Sequence, residues 1–150
     1  MTKLFYAQPE NGAPDLVSFI EALDEKLLMK LLSQFYMLMT QPVPGEPTVK
    51  HFTIEKYSKL YELRARSQVM ARIVFTIRND GSILFLAPFI KRHTRNTMQA
   101  LDCSLKMLRQ IHTGACQARE VPIGKLLGGV AGADGRPCEN GLQQNNIMEV

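Results

Sequence analysis

The chain has 150 residues with 18 basic and 14 acidic side chains, a formal charge of +4. This length suits one ordinary domain, and a composition of 45% hydrophobic and 21% charged residues excludes a wholly disordered or collagen-like protein. The longest apolar run, Ile83–Ile90, is far shorter than the about 20 residues that cross a bilayer. No apolar stretch of signal-peptide length opens the chain, so we expect a cytoplasmic protein.

The cysteines and histidines do not indicate a metal site. Cys103, Cys116 and Cys138 are odd in number and include no Cys-x-x-Cys pair, which argues against a disulfide framework or a zinc site. His51 and His112 have no partner at a metal-ligand spacing. The glycine-rich stretch after residue 123 does not match the phosphate-binding loop of nucleotide-binding proteins. We therefore expect no metal and no cofactor.

Positive charge is concentrated in the middle of the chain. Residues 1–49 hold 3 basic and 6 acidic side chains, residues 50–113 hold 12 and 4, and residues 114–150 hold 3 and 4. The three net charges are therefore −3, +8 and −1. Such asymmetry favours a polyanionic partner, although a solvated basic face without a partner would carry the same charge.

The first part of the chain predicts a strand followed by two helices. Lys3–Ala7 is the strand candidate. Asp15 favours a helix start, and the apolar residues after it recur at one-face helical spacing: Leu16, Phe19, Ile20 and Leu23. A second apolar series over 27–39 continues the helical period, and this helix must end before the three prolines of 42–47.

Residues 60–90 predict an antiparallel meander of three strands. Leu60–Arg66 and Met70–Arg78 alternate in the manner of strands, and the Asn-Asp-Gly-Ser turn at 79–82 favours a hairpin. Ile83–Ile90 is apolar on both sides, as a central strand is. We expect the inner face of this sheet to pack on the helical pair and its outer face to display arginines.

A last helix and a glycine-rich tail complete the prediction. The helix, capped by Asn96 or Thr97, is expected to run to about Ile111. Residues 114–150 contain seven of the ten glycines and show no clear period. We therefore expect one domain over 1–113 and a mostly disordered tail over 114–150, with Val121–Leu127 as a candidate transient helix or clip.

Basic side chains cluster on the predicted sheet and just after it. Residues of like parity on neighbouring strands lie about 5 Å apart, so Arg64 and Arg72 are expected to share a face. The third strand would bring Lys91, Arg92 and His93 close to that face. Guanidinium and ammonium groups on one concave surface would bind phosphate by charge-assisted hydrogen bonds.

The order of these pieces resembles the RelE/ParE toxin superfamily, and in particular its phage-derived HigB-like branch. The resemblance covers about residues 3–112, and three motifs carry it: Leu-Tyr-Glu-Leu-Arg at 60–64, Arg-Ile-Val-Phe at 72–75 and Phe-Ile-Lys-Arg at 89–92. It implies an α+β, RelE-like fold, with a small antiparallel sheet against an N-terminal helical pair and a C-terminal helix. It further implies the toxin of a type II toxin–antitoxin system, usually a ribosome-dependent mRNA endoribonuclease. The implied partners are a helix-turn-helix antitoxin, mRNA and the ribosome.

The implied chemistry is RNA cleavage by attack of a 2′-hydroxyl, without a metal. The resemblance assigns stabilisation of the transition-state phosphate to Arg64, and binding of the scissile phosphate to the paired cations Lys91 and Arg92. Arg72 is a second phosphate clamp. His93 is the histidine beside them and is a candidate general acid or base. Further RNA contacts are expected from flanking cations, namely Lys50, Lys56, Arg66 and Arg95.

Other interpretations of the same residues stay open at this point. Arg64 could simply pair with Glu62, and His93 could be a surface residue at the approach to the helix. Tyr57 and Tyr61 could stack on a base, although Tyr61 falls on the apolar face. For the whole protein, the alternatives are a ParE-like toxin that poisons gyrase and a non-catalytic module that binds nucleic acid or a partner.

Overall fold

The computed structural model describes residues 1–9 and 15–133. In chain order, its elements are β1 (Leu4–Gln8), α1 (Leu16–Glu21), α2 (Glu25–Thr40), β2 (Val49–His51), β3 (Tyr61–Arg66), β4 (Met70–Ile77), β5 (Ile83–Lys91), α3 (Thr94–Thr113), β6 (Gln117–Glu120) and α4 (Ile123–Ala133). A short 3-10 turn, Glu55–Tyr57, connects β2 with β3. The predicted α+β class is confirmed, and the architecture is consistent with a RelE-like fold.

Six strands form one sheet in the order β2-β3-β4-β5-β1-β6. The strands from β2 to β5 are successive antiparallel neighbours, so the predicted three-strand meander is confirmed and gains β2 at its edge. β1 lies parallel to β5, and β6 pairs antiparallel with β1. The first strand of the chain is therefore internal to the sheet.

The two N-terminal helices form where the sequence predicts them, and each begins at an aspartate. The Asp15 carboxylate accepts a hydrogen bond from the backbone N–H of Ser18 at 2.9 Å, and the Asp24 carboxylate accepts one from Leu27 at 2.9 Å. These contacts satisfy backbone donors that a helix start otherwise leaves unpaired. α2 ends at Thr40, directly before the proline-rich loop.

Helices cover both faces of the sheet, but unequally. The face towards α1, α2 and α4 holds the larger core, in which the rings of Phe35 and Phe85 stack with centroids 4.8 Å apart. α3 packs on the opposite face, over Val74, Leu84 and Leu86. At the end of the sheet where β3 and β4 meet in a hairpin, the side chain of Arg64 stays partly exposed. The face predicted to display arginines is therefore largely covered by α3, and Arg72 on it is buried.

The start of α3 differs from the prediction. The helix begins at Thr94 with His93 as its N-cap residue, rather than at a cap on Asn96 or Thr97. The Asn96 side chain accepts hydrogen bonds from the backbone N–H groups of Arg92 at 2.8 Å and His93 at 3.0 Å. Asn96 thus stabilises the helix start from inside the first turn, which allows the helix to begin earlier.

Residues 117–133 form β6 and α4, whereas the sequence predicts disorder there. β6 pairs with β1, and Val121 and Leu126 are buried in the core beside α1 and α2. This order depends on pairing with β1 at the other end of the chain, so local composition does not reveal it. The start of α4 coincides with the candidate helix at Val121–Leu127, and residues 134–150 of the predicted tail lie outside the described residues.

Candidate functional site

Basic side chains from four neighbouring strands meet on the sheet face that α3 leaves partly open. Arg64 of β3 lies directly opposite Arg72 of β4. Met70 of β4 lies opposite both Arg66 and Lys91. Directly paired residues project to the same side of a sheet. We call this surface the basic face, defined as Lys50, Arg64, Arg66, Arg72 and Lys91.

A buried carboxylate lies among these cations. Glu62 lies opposite Lys50 of β2, and its exposed fraction is 0%. Its Oε1 atom accepts hydrogen bonds from Arg64 Nε at 2.9 Å and from Arg72 Nη1 at 3.1 Å. Arg64 Nη1 also lies 3.5 Å from Glu46 Oε1. The alternative pairing of Arg64 with Glu62 is therefore present, but the same carboxylate holds both arginines.

The two arginines retain donors for a ligand. The Arg64 side chain is 25% exposed and the Arg72 side chain 10% exposed. A guanidinium carries several N–H donors in a planar fork, and Glu62 uses only some of them. Because, among the described residues, only two carboxylates, Glu62 and Glu46, pair with the five cations, the basic face keeps an excess of positive charge. It can hold a phosphate through charge-assisted hydrogen bonds.

Lys91 shares the electrostatics of this cluster. Its Nζ donates a hydrogen bond to Thr97 Oγ1 at 2.9 Å. Burial lowers the pKa of the Lys91 ammonium; the charges of Arg72, Arg64 and Lys50 lower that pKa further, and the charge of Glu62 opposes them. Burial also lowers the pKa of the Arg72 guanidinium. The cations therefore destabilise one another, and an anion bound among them would relieve that repulsion.

Three further predicted residues lie where β5 passes into α3. Arg92, His93 and Arg95 are exposed, and they surround the N-terminus of a long helix. The helix dipole places partial positive charge at that end, which favours an anion there. Arg92 and Arg95 extend the positive surface beyond the basic face, and His93 lies between them in the chain.

Lys56 lies apart from this arrangement. Its Nζ pairs with Asp102 of α3 at 3.5 Å. Tyr57 is buried and donates a hydrogen bond to Asp102 at 2.7 Å, which raises the pKa of Tyr57 and lowers the pKa of Asp102. The partly buried Tyr61 ring stacks on His51 and on Phe75. Tyr57 and Tyr61 thus have packing roles within the fold.

Sequence reasoning treats Glu62 only as an alternative partner of Arg64 and misses its place at the centre. Strand alternation puts Glu62 on the polar side, where a glutamate is normally solvated. Burial of that position becomes visible only when β2, β4 and α3 are in place. One signal exists in the sequence: arginines predicted opposite each other repel, so a nearby carboxylate is expected to lie between them.

Comparisons with known proteins place the chain in a family. Within residues 1–9 and 15–133, no helix has the length and hydropathy that a bilayer span requires, and no three His, Cys, Asp or Glu side chains are grouped to hold a metal ion. A search of curated proteins finds no match. The family described as "Phage derived protein Gp49-like (DUF891)" matches residues 18–109, which is more than half of the chain and includes the whole basic face. The chain therefore belongs to the phage-derived Gp49-like family, which is part of the RelE/ParE-like toxin superfamily.

Proposed function

We propose that the chain is a HigB-like toxin of a type II toxin–antitoxin system, acting in the cytoplasm as a metal-independent, ribosome-dependent mRNA endoribonuclease. The observation that supports this most is that Arg64, Arg72 and Lys91 share one partly open face of the sheet. Cations held in fixed positions bind a phosphate and stabilise the additional negative charge of its transition state. Family membership supports the toxin assignment and an antitoxin partner, which we propose to be of the helix-turn-helix type.

In the proposed reaction, the 2′-hydroxyl oxygen loses its proton and attacks the adjacent phosphorus. The bond from phosphorus to the 5′-oxygen breaks, and that oxygen takes up a proton. The products are a 2′,3′-cyclic phosphate and a 5′-hydroxyl. Arg64 stabilises the charge on the pentacoordinate phosphorus, while Arg72, Lys91 and Arg92 hold the phosphate. His93 transfers a proton, because histidine is the side chain that normally changes charge near neutral pH.

Flanking cations extend the proposed RNA contact along the backbone of the nucleic acid. Lys50 and Arg66 lie on the basic face, and Arg95 lies in the first turn of α3. Lys56 contributes least, since it lies apart from the basic face and its Nζ pairs with Asp102 at 3.5 Å. Because each phosphate contact releases a counterion, RNA affinity is expected to fall steeply as salt is raised.

The titration of Lys91 gives a prediction about pH. The lowered pKa means that Lys91 loses its proton, and its attraction for phosphate, at a lower pH than an ordinary lysine. Affinity for a non-cleavable 2′-O-methyl RNA is therefore expected to fall between neutral and alkaline pH, and Lys91→Arg is expected to remove most of that fall. Lys106→Arg, on an exposed lysine of α3, is the matched control. Identical pH curves for wild type and Lys91→Arg would contradict the assignment of Lys91 to phosphate binding.

Induced expression in bacterial cells with transcript mapping tests the proposed function. We expect growth arrest together with cut transcripts. A gyrase poison would instead leave transcripts intact and damage DNA. A non-catalytic binding module would give neither growth arrest nor cleavage, although its RNA binding would persist.

A further inference from the structure

Glu62 is a charged residue at a fully buried position of the sheet. Glu62 is 0% exposed, and so is Val74, the residue paired with it on β4. Removing a carboxylate from water is costly unless partners compensate. A buried ion pair is often no more stabilising than apolar residues of similar volume. Stability of the fold therefore gives little reason for a carboxylate here.

The geometry around Glu62 shows what its charge does. Arg64 and Arg72 lie directly opposite each other on adjacent strands, an arrangement in which like charges repel. One oxygen of Glu62 accepts from both guanidinium groups, at 2.9 Å and 3.1 Å. Because both hydrogen bonds end on one atom, the guanidinium groups are held close together. The hydrogen bond also orients each guanidinium group: Arg64 donates through Nε, and Arg72 donates through Nη1.

The remaining atoms of this cluster are incompletely paired. Among the described residues, Glu62 Oε2 and Arg72 Nε are buried and have no hydrogen-bond partner. Such unpaired groups cost stability, and they are more typical of functional sites than of ordinary cores. The cluster is thus arranged at some expense in folding free energy.

We infer that Glu62 is a positioning residue: its carboxylate holds Arg64 and Arg72 together in the arrangement that binds and stabilises the reacting phosphate. The inference rests on the proposed function, since it names how the two phosphate clamps of that site are oriented. Glu62 itself is too buried to touch RNA, and it acts only through the two arginines.

Loss of the Glu62 charge is expected to affect RNA cleavage and RNA binding differently. Glu62→Gln keeps the size of the side chain but removes its negative charge, so the basic face becomes more positive. RNA binding, which depends on charge, is expected to stay the same or tighten. Cleavage depends on where the guanidinium groups lie, and misplacement by about 1 Å costs on the order of 10²-fold in rate. A residue with a merely structural role would weaken both properties together.

The test compares wild type with Glu62→Gln, Glu62→Asp and the control Glu21→Gln, which removes an exposed carboxylate at the end of α1. Four properties are measured: thermal unfolding, affinity for 2′-O-methyl RNA, the cleavage rate of ribosome-bound mRNA at saturation, and hydrogen exchange of the Arg64 Nε–H by NMR. We expect Glu62→Gln to cleave roughly 10²-fold more slowly, with unchanged or tighter RNA binding and faster Nε–H exchange. The control is expected to match wild type.

Several outcomes would overturn the inference. Wild-type cleavage by Glu62→Gln would do so, as would unchanged protection of the Arg64 Nε–H in that variant. If Glu62→Gln does not fold, the test uses Glu62→Asp, which keeps the charge but shortens the side chain. Undiminished cleavage by Glu62→Asp would show that the placement of the two guanidinium groups by residue 62 is unimportant. If wild type cleaves no RNA while Glu62→Gln still loses protection of the Arg64 Nε–H, the proposed function is wrong. The positioning of the arginines by Glu62 is then still supported.

Discussion

Arg64→Ala is expected to slow RNA cleavage by about 10²–10³-fold and to abolish growth arrest, with the chain still folded. Arg64 is the more exposed of the two arginines bound to Glu62, at 25% against 10%. Its removal takes a donor from the phosphate while Glu62 keeps its 3.1 Å contact with Arg72. The buried carboxylate thus stays paired, which is why we expect a loss of activity rather than of structure.

The control for this variant is Arg109→Ala. Arg109 is exposed on α3, so its removal changes the net charge equally without touching the basic face. Growth arrest and cleavage rate should stay at wild-type values in this control, and circular dichroism should show both variants folded. Full toxicity of Arg64→Ala would show that the reacting phosphate does not bind at Arg64.

The second large effect is expected from ending the chain after Thr113. This truncation removes β6, which pairs with β1, and it removes the buried side chains of Val121 and Leu126 from the core. Burial of a large aliphatic side chain contributes about 1.5–3 kcal/mol, so the two together account for about 3–6 kcal/mol. Since whole domains have unfolding free energies of about 5–15 kcal/mol, we expect the shortened chain to be largely unfolded or aggregated.

A chain that ends after Ala133 is the matched control for that truncation. It keeps every contact of β6 and α4 with the rest of the protein. Urea unfolding should give the full-length free energy for this control and a strongly reduced value, or no cooperative transition, for the shorter chain. A cooperative transition of full-length stability in the chain ending at Thr113 would instead show that residues 1–113 fold alone.

Local patterns in the sequence predict much of this fold because they coincide with long-range packing. The helical apolar stripe from Leu27 to Met39 and the strand alternation around Leu63 each place a continuous apolar face towards the same core. β2 and β6 are not predicted from the sequence, because they are short and form only by pairing with neighbouring strands. Their residues carry no strong periodicity, so only the assembled sheet defines them.

The sequence is enough to predict the cations of the candidate site, but not the buried Glu62 between them. Charge counting and strand parity are enough to predict that Arg64 and Arg72 share a face, and the register confirms this placement. The burial of Glu62 and the link of Lys91 to Thr97 depend on how β2 and α3 enclose the face. For Lys56, charge counting predicts too much. It places Lys56 among the RNA-binding cations, whereas in the structure Lys56 pairs with Asp102 of α3.

The proposed RNA cleavage is tested by mapping the ends of the RNA fragments that the purified protein makes on translating ribosomes. We expect wild type to produce new fragments that carry 2′,3′-cyclic phosphate and 5′-hydroxyl ends, and Arg64→Ala to produce almost none. Intact mRNA after incubation with folded wild-type protein, or equal cutting by Arg64→Ala, would contradict the proposed reaction on the basic face.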